Sequence, residues 1–101
     1  MYERYGITRT VARHFAYVLA ITRDFREDYE CGPTAAVIAP IIGVSTQLVR
    51  DRMEEMEGMG FIRFSHLNDK AIPGSINLTR AGYDFLRLWE RFYEPLGFTF
   101  S

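Results

Sequence analysis

The sequence predicts a small α+β domain that is mostly helical. Apolar residues recur at three- and four-residue steps in four separate segments, which is the spacing of amphipathic helices. After Gly60 the pattern changes to short extended runs, and Gly, Pro, Ser and Thr stand where helices would begin and end. With 101 residues and a mass of 11.7 kDa, the chain suffices for one hydrophobic core, so we expect a single domain over 1–101.

The first quarter of the chain predicts one long helix, from about Thr10 to Glu27. Its apolar residues gather on one face, and Thr8 or Thr10 is available as the N-cap. A short extended piece over 29–31 should follow this helix. The Gly32-Pro33 pair then predicts a turn that leads into the next helix.

Two shorter helices should follow, separated by a tight turn. The first covers about 34–42 and ends at Gly43, a residue that tolerates left-handed backbone angles. Ser45 is the expected N-cap of the second, which covers about 46–59. The apolar stripe of this third helix would face the core, and its polar side chains would face solvent.

The rest of the chain predicts two strands and a last helix. The runs 61–65 and 75–78 have extended character, and turn residues occupy the loop between them. Thr79 should cap a helix over 80–93, and the prolines and glycines after it leave a short aromatic tail.

This order of elements, with these turn residues, resembles the winged helix-turn-helix domain of bacterial and archaeal transcription regulators of the MarR and PadR type. The resemblance spans about residues 33–92. The residues that carry it are Ile38-Ala39, Gly43-Val44-Ser45, Val49, Met53, Met56, Gly60-Phe61-Ile62 and Leu78-Thr79-Arg80-Ala81-Gly82. With the segments on either side of it, the chain divides into an N-terminal helix (1–28), a helix-turn-helix unit (33–60), a wing (61–78), a C-terminal helix (79–94) and a tail (95–101).

The resemblance implies a sequence-specific transcription regulator that binds double-stranded DNA. The N-terminal turn of a helix in the major groove comes nearest to the base edges, where Arg can pair with guanine and Gln with adenine. The resemblance also implies that the loop 66–74 acts as a wing on the DNA backbone or the minor groove. The candidate DNA-binding residues are Ser45, Thr46, Gln47, Arg50, Asp51, Arg63, His66 and Lys70.

The terminal helices suggest a homodimer. Apolar residues of the last helix cover an arc of about 160°, whereas a helix on one small core needs about 100°. Regulators of this fold commonly pair through their terminal helices. The candidate interface residues are Phe15, Leu86, Trp89, Tyr93 and Phe98. The alternative is that the tail folds back onto its own domain.

The charge distribution keeps a second function open. The net charge is −1, and residues 27–60 hold two Arg against seven acidic residues, which is not the basic footprint of a non-specific DNA binder. An outward apolar patch at Val37, Pro40 and Ile41 suggests a partner protein. The alternative function is therefore a winged-helix protein-interaction module that does not bind DNA directly.

A basic stripe on the first helix also has two interpretations. Arg9, Arg13 and Arg23 fall within one arc of about 80° on the face away from Phe15. They either add phosphate contacts to the DNA interface or form an ordinary solvated face.

Other classes of function are not expected. The sequence has no phosphate-binding Gly loop and no nucleophile–base signature, so we predict no enzyme activity and no cofactor. A single Cys and two His in no ligand-like spacing argue against a metal site, and the lone Cys31 fits a reducing cytoplasm. The longest apolar run, 35–44, is too short to cross a bilayer, so no membrane partner is expected.

Overall fold

The computed structural model describes residues 2–65 and 74–100 of the chain. Within these residues the order of elements confirms the predicted mostly helical α+β fold with a winged helix-turn-helix arrangement. Two short strands, Ile62–Phe64 and Ile76–Leu78, form an antiparallel pair in which Ile62 lies opposite Leu78 and Phe64 opposite Ile76. The elements are a 3-10 helix Tyr2–Tyr5, α1 Arg9–Tyr29, α2 Ala35–Ile42, α3 Thr46–Gly58, β1 Ile62–Phe64, β2 Ile76–Leu78 and α4 Arg80–Phe92.

The extended piece predicted at 29–31 is wrong. α1 continues to Tyr29, and Glu30 ends it in the left-handed conformation with φ 60°, its N–H donating to the Arg26 carbonyl. A glutamate rarely adopts this conformation, so the sequence gives no signal for a helix end there. The segment after α1 nevertheless contacts β2 through one backbone hydrogen bond, in which the Ile76 N–H donates to the Pro33 carbonyl at 3.1 Å.

Side-chain caps define the starts of α1, α3 and α4, as predicted. Thr8, rather than Thr10, caps α1 by accepting from the Val11 N–H at 3.2 Å. Ser45 caps α3 by accepting from the Leu48 N–H, and Thr79 caps α4. Each bond satisfies an amide that the helix itself leaves unpaired.

α1 lies at the centre of the molecule and packs against the other helices and β2. Its buried Phe15 meets Phe61 and Phe85 in an aromatic cluster whose ring centroids lie 4.9–6.1 Å apart. Tyr5 of the 3-10 helix covers this cluster with centroids 5.4 and 5.5 Å away. Edge-on aromatic packing of this kind adds to the hydrophobic gain of burial, so the cluster fixes α4 and the start of β1 against α1.

Gly82 allows α4 to sit directly on the strand start. A Cβ atom at this position would lie 2.0 Å from the Phe61 carbonyl oxygen, so only glycine fits. The same carbonyl accepts from the Thr79 N–H at 3.0 Å, and the Thr79 hydroxyl donates to the Gly60 carbonyl. The Leu-Thr-x-x-Gly run thus joins the strand pair to α4 through backbone contacts.

Candidate nucleic-acid interface

The front of α3 is held outward by the turn that precedes it. Gly43 adopts φ 82° and donates its N–H to the Ala39 carbonyl, which ends α2 and turns the chain within two residues. Val49, Met53 and Met56 are buried at the rear of α3. Because these three side chains anchor one face, the opposite face of the helix points to solvent.

The predicted DNA-binding residues of α3 lie together around its N-terminal end. Ser45, Gln47, Arg50 and Asp51 are exposed, and Thr46 is half-buried. The Gln47 amide nitrogen donates to an Asp51 carboxylate oxygen at 3.0 Å. The front turn of α3, defined as residues 45–51, is therefore a polar surface that a duplex can reach.

Arg50 also borders the start of α2. Its side chain lines a cavity of about 410 Å³ together with Thr34, Ala35 and Ala36. Thr34 makes no side-chain cap bond, so the first amides of α2 keep their hydrogen-bonding capacity. The exposed carboxylate of Glu54 lines the same cavity, so its charged lining contains one basic and one acidic side chain. The sequence did not indicate Thr34 as a site residue, because its place beside Arg50 depends on how α2 packs on α3.

The predicted wing residues divide between two parts of the chain. Arg63 is exposed on β1, opposite Asn77 in the strand pair. The Asn77 amide donates to the Ser65 hydroxyl at 3.0 Å, which ties the two strands together where the described residues end. His66 and Lys70 lie outside the described residues.

The acidic side chains of α3 lie mostly behind the front turn. Glu54 and Glu57 are exposed on the later turns of the helix. Glu55 pairs with Arg52 at 2.8 Å, and Arg52 in turn donates to the His14 Nδ1 atom at 3.2 Å. The pKa of His14 is lowered by burial first, and then by the nearby charges of Arg52 and Arg13.

The basic stripe on α1 serves mainly internal contacts. Arg23 pairs with Asp24 at 2.8 Å and with Glu90 at 3.0 Å, and it donates to the Leu96 carbonyl at 2.7 Å. Arg13 donates to the Tyr17 hydroxyl, and the Arg9 guanidinium lies over the Tyr93 ring. Arg23 therefore joins α1 to α4 and the tail, and it is not available to phosphates. Arg9 and Arg13 remain exposed.

The structure corrects most of the predicted dimer interface. Phe15, Leu86 and Trp89 are at most 2% exposed and belong to the chain's own core, so they offer no surface to a second copy. Phe98 is half-buried against Tyr17 of the same chain, with ring centroids 6.2 Å apart. Only Tyr93, at 37% exposure, keeps a substantial free surface.

The C-terminal tail, residues 95–100, folds back onto its own domain. The Leu96 N–H donates to Glu90, and the Phe98 N–H donates to Asp24. The Phe100 ring packs 5.3 Å from the Phe25 ring. These contacts agree with the alternative in which the tail covers its own first helix.

The apolar patch on α2 is exposed as predicted. Val37 is 36% exposed and Ile41 40%, and Pro40 is exposed between them. Three exposed apolar residues on one short helix are a surface that another molecule can cover.

Two further classes of site receive no support from the described part of the chain. Residues 2–65 and 74–100 contain no group of three or more His, Cys, Asp or Glu side chains that could hold a metal ion. No helix in the same ranges has the length and apolar character needed to span a membrane.

Comparison with known proteins identifies the fold. No model of a protein family matches the chain, and no curated protein matches it either. The chain is similar to solved structures of S. aureus MepR: a MepR–DNA complex, a point mutant bound to an oligodeoxyribonucleotide and another point mutant. Sequence identity is 18–19%, the TM-scores are 0.64–0.66, and the matches cover 92% of this chain. At this identity the likeness establishes the winged-helix fold.

The similar structures are longer than this chain. The matches cover 61–63% of each MepR chain, so this chain spans less than two thirds of their length.

Proposed function

We propose that the chain is a sequence-specific transcription regulator that binds double-stranded DNA as a homodimer, with α3 in the major groove. The observation that supports this most directly is the exposed, polar front turn of α3 on a helix whose rear face is buried. Two of the similar MepR structures contain DNA. We expect a regulator of this kind to act in the cytoplasm.

The side chains of the front turn suit different parts of a duplex. The side chains of Gln47 and Thr46 are short, so they reach base edges only if the N-terminal end of α3 enters the groove. Arg50 is exposed on the front turn and borders the same cavity as the start of α2, and its guanidinium suits a backbone phosphate or a guanine. Arg63 and the loop after β1 would reach the neighbouring backbone or minor groove.

The charge of α3 determines how the helix would enter. Glu54 and Glu57 are exposed on its later turns, and a carboxylate beside phosphates is repelled. We therefore expect α3 to enter by its N-terminal end, with its C-terminal half tilted away from the backbone. The number of phosphate contacts should be small, so the affinity should fall with salt less steeply than for a strongly basic protein.

The homodimer would use the outer face of α4. Phe92 is 60% exposed and, with Tyr93 and Leu88, it borders a surface groove of about 670 Å³. A two-fold axis at this face would bring two copies of α3 to one duplex, as a palindromic site requires. Phe92→Glu should give a monomer in sedimentation measurements, whereas Tyr83→Glu, also exposed on α4, is the control. A Phe92→Glu variant with the mass of the wild-type dimer would contradict this interface.

Titration with random-sequence duplex DNA over a range of salt concentrations tests the DNA-binding proposal. The affinity should fall as salt rises, because each neutralised phosphate releases counterions. Arg50→Ala should weaken the binding free energy for a selected DNA site by about 1–3 kcal/mol and relax the preference for one base. Arg87→Ala, which removes an exposed Arg from α4, is the matched control.

The protein-interaction module remains the second candidate, supported by the exposed patch of Val37, Pro40 and Ile41 on α2. It would require that the wild-type chain bind no duplex even at low salt. That result would contradict the DNA-binding proposal and leave the α2 patch as the candidate surface.

A further inference from the structure

The hydrogen bond between Gln47 and Asp51 determines which way the Gln47 amide faces. Its Nε2 atom lies 3.0 Å from the Asp51 Oδ1 atom, one helical turn away, and both side chains are exposed at the front turn of α3. A carboxylate oxygen accepts hydrogen bonds and cannot donate them. Only the nitrogen of the amide can therefore face Asp51, and the reversed orientation would set two acceptors against each other.

This orientation leaves one edge of the Gln47 amide for a ligand. When Asp51 accepts from the N–H that points away from Oε1, the other N–H and the Oε1 atom lie side by side, as one donor and one acceptor. Adenine presents an acceptor at N7 and a donor at N6 in the major groove, which matches such an edge bidentately. Guanine presents two acceptors there, and a donor–acceptor edge cannot satisfy both.

The same contact explains an acidic residue in the front turn. A carboxylate facing phosphates lowers affinity for DNA, so Asp51 has a cost at this position. Among the described residues, Asp51 forms a side-chain hydrogen bond with Gln47 and pairs with no Lys or Arg. The contact through which Asp51 can contribute to binding is therefore its hydrogen bond to the Gln47 amide.

We propose that Asp51 is a positioning residue that holds the Gln47 amide with its donor–acceptor edge toward an adenine in the bound duplex. This inference rests on the proposed function, because it requires α3 to enter the major groove by its front turn. It adds a base identity at one position of the site and assigns a role to Asp51 that does not need Asp51 to touch DNA.

Selection of binding sites from a random duplex pool tests the proposal, with wild type compared to variants. Wild type should select an adenine at one position of each half-site, and Gln47→Ala should lose that preference by roughly tenfold or more. Asp51→Asn should lose most of it too, because an asparagine can donate as well as accept and no longer fixes the amide. Asp51→Glu keeps a carboxylate within reach and should retain the preference.

Non-specific affinity separates positioning from a general charge effect. Asp51→Asn should bind random duplex at least as tightly as wild type, since one negative charge is removed near the phosphates. The control Glu57→Gln removes the same charge from the exposed C-terminal end of α3 and should leave the adenine preference unchanged. All three positions (Gln47, Asp51 and Glu57) are exposed, and thermal melting of each of the four variants checks that the fold is retained.

Three results would overturn the inference, and they separate its failure from that of the proposed function. If wild type binds duplex but selects no adenine that depends on Gln47, or if Asp51→Asn keeps the full preference, the positioning role fails while the proposed function stands. If wild type binds no duplex at low salt, both fail together.

Discussion

Replacing Gly82 with alanine should destabilise the fold, although alanine is the better helix former. Gly82 lies in the first turn of α4, where its Cα packs against the Phe61 carbonyl. An added Cβ would lie 2.0 Å from that oxygen, whereas ordinary contacts begin at 3.4 Å. The start of α4 would have to move by about 1.4 Å, the difference between these distances, to make room.

The magnitude follows from what this movement breaks. The Thr79 N–H bond to Phe61 and the Thr79 hydroxyl bond to Gly60 would both be lost or stretched. Two such bonds contribute about 1 kcal/mol each, and overpacking adds about 1–3 kcal/mol. Helix propensity favours alanine by about 1 kcal/mol. The net loss in the free energy of unfolding should therefore be about 2–4 kcal/mol.

Chemical and thermal denaturation measure this loss, and Gly58→Ala provides the control. Gly58 is also helical, but a Cβ there would meet nothing within 4 Å, so its replacement should stabilise the protein by up to about 1 kcal/mol. Gly82→Ala should lower the Tm by roughly 8 °C or more. A Gly82→Ala protein as stable as wild type would refute the close approach of α4 to β1.

Two further predictions concern internal contacts of α1. Arg23→Gln should lower the free energy of unfolding by about 1–2 kcal/mol, since Arg23 is half-buried between Glu90 and the Leu96 carbonyl. Arg23 also pairs with Asp24, which accepts from the Phe98 N–H, so hydrogen exchange of the Phe98 amide should become faster in this variant. An unchanged exchange rate would argue against a role of Arg23 in holding the C-terminal tail on α1. Because the pKa of His14 is lowered in the fold, the unfolded chain binds the proton more readily, so stability should fall as the pH drops below 6.5 toward the lowered value. His14→Gln should flatten that part of the stability–pH profile, and two superimposable profiles would contradict the role of His14.

Local chemistry explains which elements could be predicted from the sequence. The capping residues act within one turn of the backbone groups that they satisfy. Their residue types were therefore sufficient to predict that α2 ends at Gly43 and that α3 and α4 begin after Ser45 and Thr79. Glu30 is the opposite case. It ends α1 in a left-handed conformation without the Gly or Asn that usually signals one.

Contacts between distant parts of the chain explain the errors. The wide apolar arc of α4 indicated how much surface is buried but not what buries it. In the fold, part of the surplus meets the N-terminal 3-10 helix, where the Tyr2 ring lies 6.2 Å from the Tyr93 ring, and part stays exposed at Phe92. The tail covers α1 in the same way. Arg23 was similarly ambiguous, because its partner Glu90 lies 67 residues further along the chain.

The candidate site, too, has a part that local residue types predict and a part that depends on packing. The polar residue types of the front turn were sufficient to suggest a surface that reads bases. Two features needed the structure: the Gln47 bond to Asp51, and the position of Arg50 beside the start of α2. Both depend on side-chain rotamers and on the packing of two helices, which residue spacing does not determine.

Backbone amide NMR shifts, followed while a duplex selected from a random pool is added, are the most direct measurement of how the chain meets DNA. The largest changes should fall on Thr46, Gln47 and Arg50 and at the start of α2, with little change along the second half of α3. Changes confined to α4 or to the exposed patch at Val37 and Ile41 would contradict entry of α3 into the groove.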